Sequence, residues 1–221
     1  MGESAGKILL LDDDELVLRS LRRLLSASGY FVTVYQSARA FLASDDLDTA
    51  DCIILDLSLP DSDGFRVQEA LAAAGGSHSI VFLTGRGDIP ASVRAMKAGA
   101  VDFLTKPVEA DALLAAVDVG RQLSRSRRKM EEKRASVLKR LDSLTARETQ
   151  VMHLVVAGLL NKQIAADLGT VEKTIKVHRG RMMAKLGVRT VADLVRLVAV
   201  AEPAGEALGP SPTTIRQGHD I

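Results

Sequence analysis

The stretch Ile53-Ile54-Leu55-Asp56-Leu57-Ser58-Leu59-Pro60-Asp61-Ser62-Asp63-Gly64 decides how this chain folds. A short apolar run climbs to one carboxylate and breaks at once into Pro, Ser, Asp and Gly. That pattern is a buried parallel strand delivering Asp56 to its C-terminal end, followed by a loop. In open α/β sheets, ligands collect at that edge. Ile8-Leu9-Leu10-Leu11 is a second such run and ends in Asp12-Asp13-Asp14-Glu15. If the two strands are neighbours, at least three carboxylates converge on one small pocket. Like charges that close cannot all stay ionised unaided, so the pattern asks for a divalent cation and a lysine.

Working outward, residues 7–121 alternate strand and helix signals. Strands are expected near 7–11, 30–35, 51–56, 79–84 and 101–104. Helices are expected near 15–27, 37–43, 64–74, 89–98 and from 108 to beyond 121. On the first helix Leu16, Leu21, Leu24 and Leu25 are expected inward and Arg19, Arg22 and Arg23 outward, with Gly29 closing it. Five βα units with short connections imply a doubly wound parallel sheet. Two further strand ends then matter. Val81-Phe82-Leu83 leads to Thr84, and Val101-Asp102-Phe103-Leu104 leads to Thr105-Lys106-Pro107. Lys106 would reach the pocket as a point charge; Pro107 favours an extended turn there, with a cis bond as one way to aim the lysine inward.

Other readings of Asp56 fail on spacing. A haloacid dehalogenase-type phosphatase wants a second Asp two residues on, where this chain has Ser58. An EF-hand with Gly64 at its sixth position would put Leu59 and Ala70 at ligand positions.

The net charge of +1 hides an asymmetry. Residues 1–120 hold 10 Lys/Arg against 18 Asp/Glu, a balance of −8, and residues 121–221 hold 19 against 10, a balance of +9. An acidic half joined to a basic half suggests two jobs, the second on nucleic acid. Cys52 is the single cysteine, which excludes an intrachain disulfide and suits a buried structural thiol in a reducing compartment. With no apolar stretch long enough for a bilayer and no signal peptide, a cytoplasmic chain without a membrane partner is expected.

Residues 121–140 carry nine Lys/Arg, and Leu123, Met130, Val137 and Leu144 recur every seven residues. This reads as a basic helical connector, either solvated or in weak coiled-coil contact with a second copy. Thr145, with Glu148 three residues later, opens a helix by a capping box. A short helix at Asn161–Leu168, a turn at Gly169 and a basic helix from Thr170 to Leu186 form a helix-turn-helix, whose second helix enters the major groove. Ile175, Met182, Met183 and Leu186 suit its packed side, leaving Lys173, Lys176, Val177, Gly180, Arg181 and Lys185 for the other. Residues 202–221, rich in Pro, Gly, Ser and Thr, read as a disordered tail.

These motifs carry a resemblance over about residues 6–200. Asp12/Asp13, Asp56, Thr84 and Lys106-Pro107 resemble the receiver domain of two-component response regulators. Leu144-Thr145-x-Arg147-Glu148, Asn161-Lys162-x-Ile164-Ala165 and Thr174-Ile175-Lys176-Val177-His178 look like the LuxR-type four-helix DNA-binding domain. Together the chain is similar to FixJ/NarL-type regulators, particularly the styrene-sensing ones.

The resemblance implies a flavodoxin-like sheet of order 2-1-3-4-5 and domains at 1–121 (receiver), 122–142 (basic linker), 143–201 (helix-turn-helix) and 202–221 (tail). It implies Mg²⁺ or Mn²⁺ held by Asp13, Asp56 and the Ser58 carbonyl, with Asp12 acting mostly through water. Asp56 would be phosphorylated by a sensor histidine kinase. Thr84 and Lys106 would bind the phosphoryl group, with Phe103 as a switch aromatic or a plain core residue. Lys176 and Val177 would face bases and Thr174, His178 and Arg181 the DNA backbone, with Lys173 and Lys185 beside them; His178 could equally pack between helices. A lysine that relatives use at the position of Gly180 is missing here. The implied protein is a transcription regulator rather than an enzyme, dimerising on phosphorylation, binding promoter DNA and meeting RNA polymerase. The alternatives are a constitutive DNA-binding protein with an inert receiver, and a phosphotransfer module acting through protein partners.

Overall fold

The computed structural model describes residues 6–85 and 89–201, so the expected tail at 202–221 lies outside the described residues. The chain divides into two compact units between Arg128 and Lys129. The first is built on five parallel strands in the order β2-β1-β3-β4-β5: β1 (Lys7–Leu11), β2 (Phe31–Tyr35), β3 (Cys52–Asp56), β4 (Ile80–Thr84) and β5 (Asp102–Thr105). The helices between them are α1 (Glu15–Ala27), α2 (Ala38–Leu42), α3 (Gly64–Ala73) and α4 (Ile89–Lys97), and α5 (Ala110–Asp142) follows β5.

The two-residue period of a strand sorts the inner strands into two cores. Leu9, Leu11, Ile53, Leu55 and Phe82 pack with Phe41, Phe65, Val67 and Ala95 on one face. Ile8, Leu10, Ile54, Val81 and Leu83 pack with Leu18, Leu21, Leu25, Leu113 and Val117 on the other. Burial on both faces is why these strands are unbroken apolar runs rather than alternating ones. On α1, Leu16 departs from expectation: it is 72% exposed, and Leu18 takes the inward place with Leu21 and Leu25. The stripe at 18, 21 and 25 follows the 3.6-residue period, and Leu16 falls on the opposite side of the helix from Leu18.

The register fixes the functional edge. Leu11 lies beside Leu55, Asp56 beside Leu83, and Thr84 beside Thr105. Asp12, Asp56, Thr84 and Lys106 therefore all sit at the C-terminal rim of adjacent strands.

At the opposite rim, α5 is held to the sheet well past residue 121. The Ser124 and Ser79 hydroxyls are hydrogen-bonded at 2.9 Å in a buried position, and Arg127 donates to the Ser77 carbonyl at 3.0 Å. Arg128 reaches the Asp51 carboxylate at 2.8 Å and the Ala50 carbonyl at 2.6 Å. These contacts make the helix part of the first unit as far as Arg128. The seven-residue seam is accordingly not one strip. Leu123 and Met130 are exposed, Val137 is buried, and Leu144 packs on the core of the second unit.

In that second unit α6 (Ala146–Val156), α7 (Asn161–Asp167), α8 (Glu172–Leu186) and α9 (Val191–Ala201) enclose Val151, Val155, Ile164, Ile175, Met182, Leu186 and Leu194. The capping box forms as its spacing demands: the Thr145 hydroxyl accepts from the Glu148 N–H, and Glu148 accepts from the Thr145 N–H at 2.9 Å. Gly169 turns the chain between α7 and α8 with φ +60°, a conformation that favours glycine. No helix among the described residues is long and apolar enough to cross a membrane.

Candidate functional site

β1 and β3 bring one oxygen each of Asp12, Asp13 and Asp56 to within 4.8 Å of one another. Asp12 and Asp56 are buried, whereas Asp13 opens to solvent. The loop after β5 supplies the counter-charge. Lys106 Nζ lies 2.6 Å from Asp12 Oδ2 and 3.3 Å from Asp56 Oδ2. The Lys106 N–H is held by the Thr84 carbonyl at 2.7 Å, and the Lys106–Pro107 peptide is cis.

Burial raises the pKa of the Asp56 carboxyl; the Lys106 ammonium opposes this, and the neighbouring Asp12 charge adds to it. Burial alone would lower the Lys106 pKa, but its bonds to Asp12 and Asp56 prevail and raise it. One lysine against three carboxylates leaves the cluster two charges short of neutrality.

The donor set suits a small hard cation. All its side-chain ligands are carboxylate oxygens, and Asp13 leaves a side open to the waters that Mg²⁺ retains. Asp12 Oδ2 is buried, and the Lys106 ammonium at 2.6 Å is the partner the described residues give it, so this oxygen is already turned to a cation. Asp14 is not part of this set. It caps α1, accepting from the Leu16 and Val17 N–H groups at 2.8 and 3.4 Å.

The loop after Asp56 is fastened close by. Ser58 and Asp63 pair in an isolated antiparallel bridge, and Asp63 caps α3 through the Phe65 N–H at 3.0 Å. Thr84 ends β4 in a buried position, 3% exposed. Phe103 is half-buried, its ring 6.3 Å from that of Phe82, which in turn lies 5.4 Å from Phe65. Phe103 thus continues the aromatic row at its accessible end.

In the second unit, α8 buries Ile175, Met182 and Leu186. Lys173, Lys176, Val177, Gly180 and Arg181 are exposed on the facing side, at the spacing of one helical face. Lys176 pairs with Glu172 at 3.2 Å, both side chains being open to solvent. Thr174 and His178 are half-buried at its margin. Lys185, expected beside the DNA-facing set, is exposed, and its ammonium binds the buried Glu148 at 2.6 Å and the Ser143 carbonyl at 3.1 Å. A lysine in the last turn of α8 lies beside the start of α6, and there a buried carboxylate needs a cation. Sequence reasoning also missed Arg179, which donates to Asn161 Oδ1 at 2.9 Å and ties α8 to α7. Arg147 does similar work through the Leu168 carbonyl at 2.8 Å.

Comparison with known proteins agrees with both halves. Residues 8–118 match the response regulator receiver domain family, and residues 142–198 match the bacterial regulatory proteins of the luxR family. Nodulation protein W of Bradyrhizobium diazoefficiens is 42% identical over 190 residues, 86% of this chain and 84% of its own. The chain belongs to the response regulator family. The transcriptional regulatory protein FixJ of Azorhizobium caulinodans is 40% identical over 201 residues, 90% of this chain and 95% of its own. The solved structure of the response regulator StyR has 44% identity and a TM-score of 0.79, covering 88% of this chain and 98% of that one. This response regulator therefore joins a receiver to a LuxR-type DNA-binding domain, and its relatives are transcription regulators rather than enzymes.

Proposed function

We propose that this response regulator is switched by phosphorylation of Asp56 and that the phosphorylated form dimerises and binds promoter DNA. The observation that carries the reading is the convergence of Asp12, Asp13 and Asp56 on Lys106 at one sheet edge.

The phosphodonor is a phosphohistidine of a sensor kinase. An oxygen of the Asp56 carboxylate attacks phosphorus in line as the P–N bond breaks, and the imidazole leaves with the bonding pair. Asp12, Asp13, Asp56 and the Ser58 carbonyl are the residues that would hold Mg²⁺ or Mn²⁺. When bound, the cation supplies positive charge to the phosphoryl oxygens. Lys106 supplies the protein's own charge to the same oxygens, and the Thr84 hydroxyl donates to one of them. The phosphoryl group carries roughly 1.5–2 negative charges; because the Asp56 carboxylate gives up its own charge in forming the bond, the rim gains about one, together with new acceptor oxygens. Thr84 moving toward them opens space that Phe103, at the end of its aromatic row, is placed to fill.

On DNA, Lys176 and Val177 face the bases of the major groove, with Val177 suited to a thymine methyl. Lys173, Thr174, His178 and Arg181 contact phosphates. A dimer reads two half-sites about one turn apart and meets RNA polymerase at the promoter, in the cytoplasm.

Sedimentation and gel shift on selected promoter fragments test this, with wild type and Asp56→Asn each exposed to a phosphodonor. The expected result is dimer and operator complex in treated wild type alone. Equal dimerisation and binding by the variant would leave a constitutive regulator. Phosphorylation without any salt-dependent DNA binding would leave a phosphotransfer module.

A further inference from the structure

We propose that Asp61 is a positioning residue for the metal and phosphoryl site, acting by anchoring the loop that follows Asp56. The inference rests on the reading of Asp56 as phosphoacceptor. Asp61 stands five residues beyond Asp56, and both its carboxylate oxygens are engaged at a distance in sequence. Oδ1 accepts from the Ala38 N–H and Oδ2 from the Arg39 N–H, each at 3.2 Å.

The other ties of this loop are to its own ends or inward. Leu57 N–H donates to the Leu83 carbonyl and Gly64 N–H to the Leu57 carbonyl, both at 2.9 Å. Leu59 is buried in the core, and Asp63 bonds to α3. Asp61 alone among these side chains fastens the loop by hydrogen bonds to α2. Ser58, whose carbonyl is directed to the metal by this reading, lies between the Leu57 anchor and Asp61. It is bridged to Asp63 just beyond Asp61, so Asp61 sits at the tip of the paired segment that carries the carbonyl and ties that tip to α2. Magnesium demands near-ideal octahedral geometry, so small drift of that carbonyl weakens binding. Loss of Asp61 frees the outer half of the loop while leaving both cores and all three metal carboxylates in place.

The test uses the full chain, with MgCl₂ titrated calorimetrically and acetyl phosphate as phosphodonor. Asp61→Ala should lower Mg²⁺ affinity roughly tenfold, the scale at which residues supporting metal ligands act. Its phosphorylation rate should fall in proportion at low Mg²⁺ and recover at saturating Mg²⁺. Asp61→Asn, which keeps one acceptor, should fall between. Ser37→Ala removes the acceptor for the Ala40 N–H of the same helix at 3.3 Å without touching the loop, and should keep wild-type affinity. Wild-type affinity in Asp61→Ala, or an equal loss in Ser37→Ala, would overturn the proposal while leaving Asp56 as phosphoacceptor. If wild type itself neither bound Mg²⁺ nor took up phosphoryl, the phosphoacceptor reading would fall first and this inference with it.

Discussion

Gly64→Ala sets helix propensity against packing at the phosphoacceptor. In an exposed helix interior, replacing glycine by alanine stabilises by roughly 0.5–1 kcal/mol. Gly64 opens α3 with ordinary helical φ, so backbone strain is not at issue. Packing is. A Cβ there would lie 2.6 Å from the Asp56 carbonyl oxygen, 3.0 Å from Leu57 Cα and 3.2 Å from a ring carbon of Phe82. Two of these atoms are backbone and the third belongs to a fully buried ring. Relief requires α3 and the end of β3 to separate by roughly half an ångström, and overpacking of that kind costs about 1–3 kcal/mol. Packing wins. The receiver should lose about 1–2 kcal/mol, a fall of roughly 4–10 °C in its melting transition followed by circular dichroism. The displaced carbonyl belongs to Asp56 itself, so phosphorylation by acetyl phosphate should slow by about tenfold. Gly180→Ala is the internal control. Nothing lies within 4 Å of a Cβ there, and the same substitution should stabilise the second unit. A Gly64→Ala protein that melts no lower than wild type and is phosphorylated normally would refute the reasoning.

Three further outcomes follow from the same geometry. Lys106→Met removes the cation that competes for Asp12 and Asp56, so calorimetry should show Mg²⁺ binding strengthened by about tenfold while the phosphoryl adduct forms more slowly; weaker Mg²⁺ binding would contradict this. Glu148 is held down to about 2 from 4.5, chiefly by the Lys185 ammonium and then by the Thr145 N–H. A depressed carboxyl contributes stability that is whole above its unfolded pKa and lost as pH falls from about 4.5 toward 2. Acid unfolding of the second unit should therefore steepen across that window and flatten in Glu148→Gln; parallel curves would remove Glu148 from the account. Lys176→Ala should weaken operator binding by about tenfold or more without altering phosphorylation, as read by gel shift, and unchanged affinity would take Lys176 off the interface.

Much of the receiver pocket was legible because its residues announce themselves. Each follows an apolar run, and the register of parallel strands lines such ends up along one rim. The exposed and buried faces of α8 were legible for a similar reason, from helical periodicity over 15 residues. Contacts between residues far apart in sequence were not. Nothing near Asp61 says that it reaches Ala38 and Arg39, and nothing near Lys185 says that a buried Glu148 lies 2.6 Å away. Leu16 was misplaced because leucine alone does not fix the phase of a helix in which Leu18, Leu21 and Leu25 already form a stripe. The reach of α5 to Arg128 was hidden in a run of basic residues that reads as solvated, although Arg128 bonds to Asp51 and to the Ala50 carbonyl.

The most direct test of the central claim is the intact mass of wild type and Asp56→Asn after incubation with acetyl phosphate, with and without Mg²⁺. The account expects one phosphoryl adduct on wild type, dependent on Mg²⁺ and absent from the variant. An adduct that persists in Asp56→Asn, or one indifferent to Mg²⁺, would contradict it.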